Sequence, residues 1–340
     1  MKLFYQTRYR FYSPHQNLKF FLFSDLHFSR KVTNQTLDAI LAKASSQAPD
    51  YILFTGDLVD QLADVDAAID RARLLGWLEK LATVAPVLLI LGNHDFYRRN
   101  PHRSAGQLGW IAERNEDFLH HLSEIKNLHL LDNAAYSDHH VHVLGFTQSF
   151  DYYHLRATDQ TAQKPATEVD AIATPIPSSE SFQKPRHERA DLMYADLKNL
   201  SDTQPKLLHN LPQKKAKIAL IHSPINLDEP SIAHLLKEFD FIISGHMHGG
   251  LVPPGLQDFW HSDRGFVAPG KSLFPKNARN YTITPDNTRI VLGAITTVQN
   301  CTGVLSFLNK AFPINIATLE LSKSQIYARK PDISSKYLEF

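Results

Sequence analysis

Cysteine is nearly absent from this 340-residue chain, where Cys301 stands alone. No disulfide can close within it and no thiolate zinc cluster can assemble, so Cys301 reads as a small core residue. Long hydrophobic runs are missing too. Stretches such as Val84–Leu91 fall far short of the ~18 apolar residues that a transmembrane helix needs. Residues 1–17, MKLFYQTRYRFYSPHQN, have positive charge but no continuous apolar segment and no small-residue cleavage site. They do not read as an export signal, and the cytoplasm is the expected compartment. Charge of one sign is also lacking. Lys and Arg number 36 against 35 Asp and Glu, for a net charge of +1, which disfavours a dedicated nucleic-acid binder. Hydrophobic content of 43% and charged content of 21% are those of a globular protein with a substantial core.

What the chain does have is histidine, 18 of them, several at sharply defined places. Five short apolar runs stand out: KFFLF (19–23), YILFT (51–55), VLLIL (87–91), KIALI (217–221) and FDFIIS (239–244). Each has the length and continuous hydrophobicity of a strand buried on both faces. Between the first three lie helical patterns. Leu37, Ile40, Leu41 and Ala44 form an apolar stripe behind the caps Thr33 and Asn34, and residues 62–82 and 108–125 predict a second and a third helix. RHERADLMYADLKNL (186–200) predicts a further helix. Strand alternating with helix implies a layered α/β architecture. The stretch at about 151–186 is rich in Thr, Ala, Gln, Pro and Ser without a period, and reads as a surface insertion in a single domain spanning 1–340.

Every one of the five runs ends on a side chain able to bind a metal. Asp25 and His27 follow the first, Asp57 the second, Asn93 and His94 the third, His222 the fourth, His246 and His248 the fifth. One such residue would be an ordinary turn or cap. Five strand ends in five point instead to the crevice beyond the carboxyl edge of an α/β sheet, where sites are assembled. Asp25 and His27 are two apart, as are His246 and His248, and on an extended segment such pairs face one side. Mixed imidazole and carboxylate donors without thiolate suit first-row ions such as Mn, Fe, Zn or Co better than Ca or Mg. Seven donors exceed one tetrahedral shell and match two ions sharing a carboxylate, ~3.5–4 Å apart.

The ordered blocks DLH, GDLVD, GNHD, a lone His after a strand, and GHMH, spanning residues 25–248, resemble the calcineurin-like metallophosphoesterase superfamily, whose signature is D-x-H, G-D, G-N-H-[DE], H and G-H-x-H. The resemblance implies a four-layer α/β/β/α sandwich of two mixed sheets with a dinuclear centre at one edge. It implies that Asp25, His27 and His248 hold one ion, that Asn93, His222 and His246 hold the other, and that Asp57 bridges. His94 would face the substrate as acid or charge stabiliser while a metal-bridging hydroxide attacks phosphorus. Gly250 in HGG is similar to the bacterial branch of YkuE and YaeI phosphodiesterases, although Leu251 stands where that branch often has Gln.

The expected activity is hydrolysis of a phosphodiester, or of a phosphomonoester or pyrophosphate, on a small-molecule or lipid-like substrate. A nuclease of the same superfamily and a non-catalytic scaffold are the alternatives. Peripheral contact with a membrane stays open, and specificity is assigned to loops 96–106, 148–190 and 251–281. LVPPGLQDFW (251–260) is apolar enough to line a pocket for a lipid-like or aromatic leaving group, and equally suits a core. Asp95 is read either as tuning an active-site imidazole or as capping its turn, and Asp60 as a loop carboxylate beside the site. Arg98 and Arg99 read as a solvated face, and HHVH (139–142) as part of a surface hairpin.

Overall fold

The computed structural model describes residues 3–99, 110–153, 186–225, 227–252, 256, 264–265, 274, 276, 278–284, 290–292, 314–329 and 331–339. The chain opens with β1 (Leu3–Tyr12) and β2 (Leu18–Phe23), then passes through α1 (Asn34–Gln47) to β3 (Tyr51–Phe54). Helix α2 (Ala68–Val84) leads to β4 (Val87–Leu89), and a small hairpin of β5 (Tyr97–Arg99) and β6 (Trp110–Ala112) leads to α3 (Glu116–Glu124) and β7 (Leu128–Leu130). A second group follows: β8 (Ala134–Ser137), β9 (Val141–Phe146), α4 (Phe150–Tyr153), α5 (Arg186–Thr203), β10 (Ala216–Ile221), α6 (Pro230–Leu235) and β11 (Phe241–Ile243). The remaining elements are β12 (Tyr281–Ile283), β13 (Ile290–Leu292), β14 (Ile314–Ser322), α7 (Ile326–Arg329) and β15 (Asp332–Glu339).

Two mixed sheets result. One has the order β15-β1-β14-β2-β3-β4-β7 and the other β12-β13-β11-β10-β9-β8. Strands β2, β3, β4 and β7 run parallel, as do β9, β10, β11 and β13. Successive side chains on a strand point to opposite faces, and the apolar runs divide accordingly. Phe20 and Leu22 of β2 join Leu53 and Leu88 in a core shared with Val143, Ile218, Leu220 and Ile243 of the other sheet. Phe21 and Phe23 turn the other way and pack with Phe54 under Ile40 of α1, Leu78 of α2 and Phe118 of α3. Leu144, Ile221 and Ile242 face outward from the second sheet against Leu197 of α5 and Ile232 of α6. Three cores separate four layers. The expected α/β/β/α sandwich is what the chain forms, and strands covered on both faces explain why the runs are continuous rather than alternating.

The helices refine the expectations. Thr33 caps α1, its hydroxyl accepting from the Thr36 N–H at 3.2 Å, an arrangement worth about 1 kcal/mol. The helix expected over 62–82 is broken. Leu62 and Val65 are buried at a spacing of three, which suits the 3₁₀ turn they form, and Ala67 takes extended angles before α2 begins. The helix expected over 108–125 begins only at Glu116, because residues 110–112 pair with 97–99 and Asn115 caps the helix by accepting from the Phe118 N–H at 3.0 Å. Most of the 151–186 insertion, most of the 251–260 stretch and Cys301 lie outside the described residues. Among the described residues no helix is long and apolar enough to cross a membrane.

Candidate metal centre

The parallel strands β2, β3 and β4 of one sheet and β10 and β11 of the other end at one edge of the sandwich. Their end segments are stitched together by backbone hydrogen bonds: Asp25 N–H to the Gly56 carbonyl, His27 N–H to Asp57, and Gly245 N–H to His222, at 2.9–3.0 Å. The two sheets are joined directly, since the His246 N–H donates to both Asp25 carboxylate oxygens at 3.0 and 3.1 Å. Gly92 is required by this crowding. A Cβ there would stand 2.3 Å from Asp57 Oδ1 and 2.4 Å from the Asp57 nitrogen.

Donor atoms of Asp25, His27 and His248 lie within 4.8 Å of one another, as do those of Asp57, His222 and His246, and a third such group joins His27 and Asp57 to His94. Asn93 completes the second group, its Oδ1 3.2 Å from His222 Nε2. Asp57 stands between the groups, with Oδ2 3.7 Å from His27 Nε2 and 3.1 Å from His222 Nε2. All seven positions expected from the sequence converge, and His94 sits beside them. Asp25, His27, Asp57, Asn93 and His222 are buried at the base, while His94, His246 and His248 are half-buried at the rim.

The way they converge differs from the extended-segment picture. Asp25, His27, Asp57, His246 and His248 all occupy the left-handed region, with φ of 51°, 44°, 55°, 68° and 50°. Each strand therefore turns sharply as it ends. The spacing of two still brings Asp25 and His27 together, but it sends His246 and His248 to different groups. In the same turn Gly250 has φ +68°, and a Cβ there would strike the Gly265 backbone at 2.1 Å.

The electrostatics fit a cation. Among the described residues every ion-pair partner of Asp25 and Asp57 is a histidine. His27 Nε2 and His248 Nε2 approach to 3.3 Å. Burial drives both rings toward the neutral form, His27 well below the usual histidine range and His248 down to about 4. Burial also opposes a charge on His222, yet the Asp57 carboxylate outweighs it and pushes that ring up to about 9. Asp25 is pushed up to about 7 by burial, reinforced by Asp57. Two acidic side chains among mostly neutral imidazoles, their donor atoms within 4.8 Å in each group, could hold a metal ion. His222 Nδ1 donates to the Thr55 carbonyl at 2.7 Å, which aims Nε2 inward.

The sequence model of the calcineurin-like phosphoesterase family matches residues 18–250, about two thirds of the chain. The chain belongs to that family. Cj0846 of Campylobacter jejuni, an uncharacterized metallophosphoesterase, is 21% identical over 277 residues. That match covers 78% of this chain and 56% of the relative, so the chain spans just over half of that protein. Of solved structures, TT1561 of Thermus thermophilus is 12% identical, covering 83% of this chain and 90% of that one, with a TM-score of 0.41. A dimetal phosphatase from Danio rerio is 11% identical, covering 70% and 83%, with a TM-score of 0.39.

Several residues flank this calcineurin-like centre, most in a role the sequence offered and two that sequence reading passed over. Asp95 touches no imidazole among the described contacts. Its carboxylate accepts from the Gly92 N–H at 2.8 Å and from the Val59 N–H at 3.0 Å, so it fastens the loop behind Asp57, which is its capping role. Asp60 is the loop carboxylate expected, 3.6 Å from His27 Nδ1, and its backbone carbonyl meets His94 Nδ1 at 2.6 Å. Arg98 is tied to Asp66 and Glu113, away from the donors. His140 lies in the turn of the β8–β9 hairpin as expected, but His142 is buried on β9, an inner strand of the second sheet, so the surface reading fails there; both lie outside all three groups. Tyr97 and Tyr153 were missed. Tyr97 accepts from Asn93 Nδ2, and the Tyr153 ring lies 5.5 Å from that of His246. For Tyr97 an aromatic four residues past a ligand candidate was the one available signal, which spacing does not distinguish from core, and Tyr153 has no such neighbour in sequence.

Proposed function

We propose that this chain is a metal-dependent phosphoric ester hydrolase acting on a phosphodiester. The observation that carries the reading is the convergence of seven donor side chains from five strand ends at one edge of the sandwich, with Asp57 between the two groups. In this reading Asp25, His27 and His248 would hold one divalent ion and Asn93, His222 and His246 a second, with Asp57 available to both. Mn, Fe or Zn suits this donor set. When bound, two such ions polarise a phosphoryl oxygen and bring the pKa of a bound water near neutrality.

The chain's own residues supply the rest. The buried base fixes the donors, and the half-buried rim of His94, His246 and His248 is the side open to substrate. His94 Nδ1 donates to the Asp60 carbonyl, so its acid–base chemistry falls to Nε2. A proton delivered from His94 Nε2 to the leaving oxygen as its bond to phosphorus breaks would release the product as an alcohol. Arg98 and Arg114 are each shared between two carboxylates, and with a net charge of +1 this supports a small-molecule ester over a nucleic-acid strand. A single domain over 1–340 is supported by the sheet itself, where β1 lies between β14 and β15. Kinship with the YkuE and YaeI branch rests on Gly250.

The deciding experiment loads the protein with Mn and compares an alkyl phosphodiester, a phosphomonoester and a nucleotide-sugar pyrophosphate, alongside metal analysis. Two ions per chain and fastest turnover of the diester are expected. A folded chain that takes up two ions and cleaves none of the three would return the scaffold reading.

A further inference from the structure

The two halves of the centre are unequal in charge. Asp25 and Asp57 both serve the first half, whereas the second has Asp57 and the neutral amide of Asn93. A carboxylate offers oxygen whichever way it turns. A carboxamide does not: one end is an acceptor oxygen, the other a nitrogen bearing two donors, and the two ends have nearly the same shape. Turned the wrong way, Asn93 would point N–H groups at a cation. Its hydrogen-bond partners must therefore choose.

We infer that Tyr97 is a positioning residue that holds the Asn93 amide with its oxygen toward the second ion. Asn93 Nδ2 donates to the Tyr97 hydroxyl, and Oδ1 then lies 3.2 Å from His222 Nε2, inside the second group. The tyrosine is itself held firmly. It is 2% exposed, begins β5 in register with Ala112 of β6, and packs edge-on against Phe96 at 5.9 Å and Phe150 at 5.8 Å. The turn Asn93–Phe96 separates ligand and tyrosine by four residues, which returns the phenol to the amide. The inference rests on the dinuclear reading above. It adds that the second ion, with one carboxylate to hold it, depends on a hydroxyl that does not touch it.

The test measures Mn dissociation constants for both ions in the wild type, Tyr97→Phe, Asn93→Asp and the double variant, with thermal unfolding of each. Tyr97→Phe should weaken the second ion by about 10–100-fold and leave the first unchanged, the usual cost of losing a group that orients a ligand. In the Asn93→Asp background, where no amide needs orienting, the same change should cost less than about threefold. Equal losses in both backgrounds would make Tyr97 a packing residue and overturn the inference, as would an unchanged second ion in Tyr97→Phe. A wild-type chain that binds one ion only would overturn the dinuclear reading and this inference with it.

Discussion

The half of the centre built on Asp25, His27 and His248 and the half built on Asn93, His222 and His246 draw on both sheets, share Asp57, and differ in the proton held at one ring. In the first, burial leaves His27 and His248 neutral, and Asp25 gives up its proton near pH 7. In the second, His222 is as buried, yet Asp57 at 3.1 Å keeps the imidazole protonated up to about pH 9. Burial opposes a charge on every ring, His246 included, and only at His222 does a neighbouring carboxylate outweigh it. The first half is thus open to a cation at mildly alkaline pH, whereas the second must release a proton to accept one.

Asp57→Asn should do the most damage, because it takes charge from both halves. Metal content should fall from two ions toward none, measured by elemental analysis after loading. Retention of both ions at the wild-type rate would remove Asp57 from its bridging place. His94→Ala bears on neither half if His94 serves the substrate. Turnover of an alkyl diester should drop by about 10²–10⁴-fold with both ions kept, and a nitrophenyl ester, needing less protonation, should lose less. Loss of one ion would instead make His94 a ligand of the first half, a place its approach to His27 and Asp57 allows.

The smallest effect is the one that sharpens the comparison most. The His222 value lies above the ordinary histidine pKa, so its proton is present at neutral pH and lost as pH rises toward 9. Affinity for the second ion should therefore rise roughly tenfold per pH unit between 7 and 9. Affinity for the first should level off above about pH 7, once Asp25 is ionised. Mn titrations at three pH values read both slopes, and parallel slopes would erase the distinction.

Much of this was legible from local pattern. Each of the five apolar runs is a strand, and each ends at the donors, because burial on two faces leaves a continuous hydrophobic signature. What stayed hidden is non-local or conformational. Strand β1 pairs with β14 and β15 from the far end of the chain, and its Arg8 and Arg10 meet Glu320 and Asp332 across the sheet. No window of sequence contains that pairing. The left-handed turns at the ligands are hidden for another reason, since Asp and His carry no glycine-like mark. Tyr97 was invisible because a hydrogen bond through a phenol leaves no periodicity.

Those left-handed turns set stability and use against each other. A non-glycine residue in that region costs on the order of 1–2 kcal/mol, and Asp25, His27, Asp57, His246 and His248 all stand there. Glycine at any of the five would relax the backbone and delete a donor. A population of variants selected for heat resistance alone, with metal withheld, would drift toward glycine and asparagine at these positions and arrive at a tougher, emptier edge. Thermostability screens on this chain would thus erode the centre first.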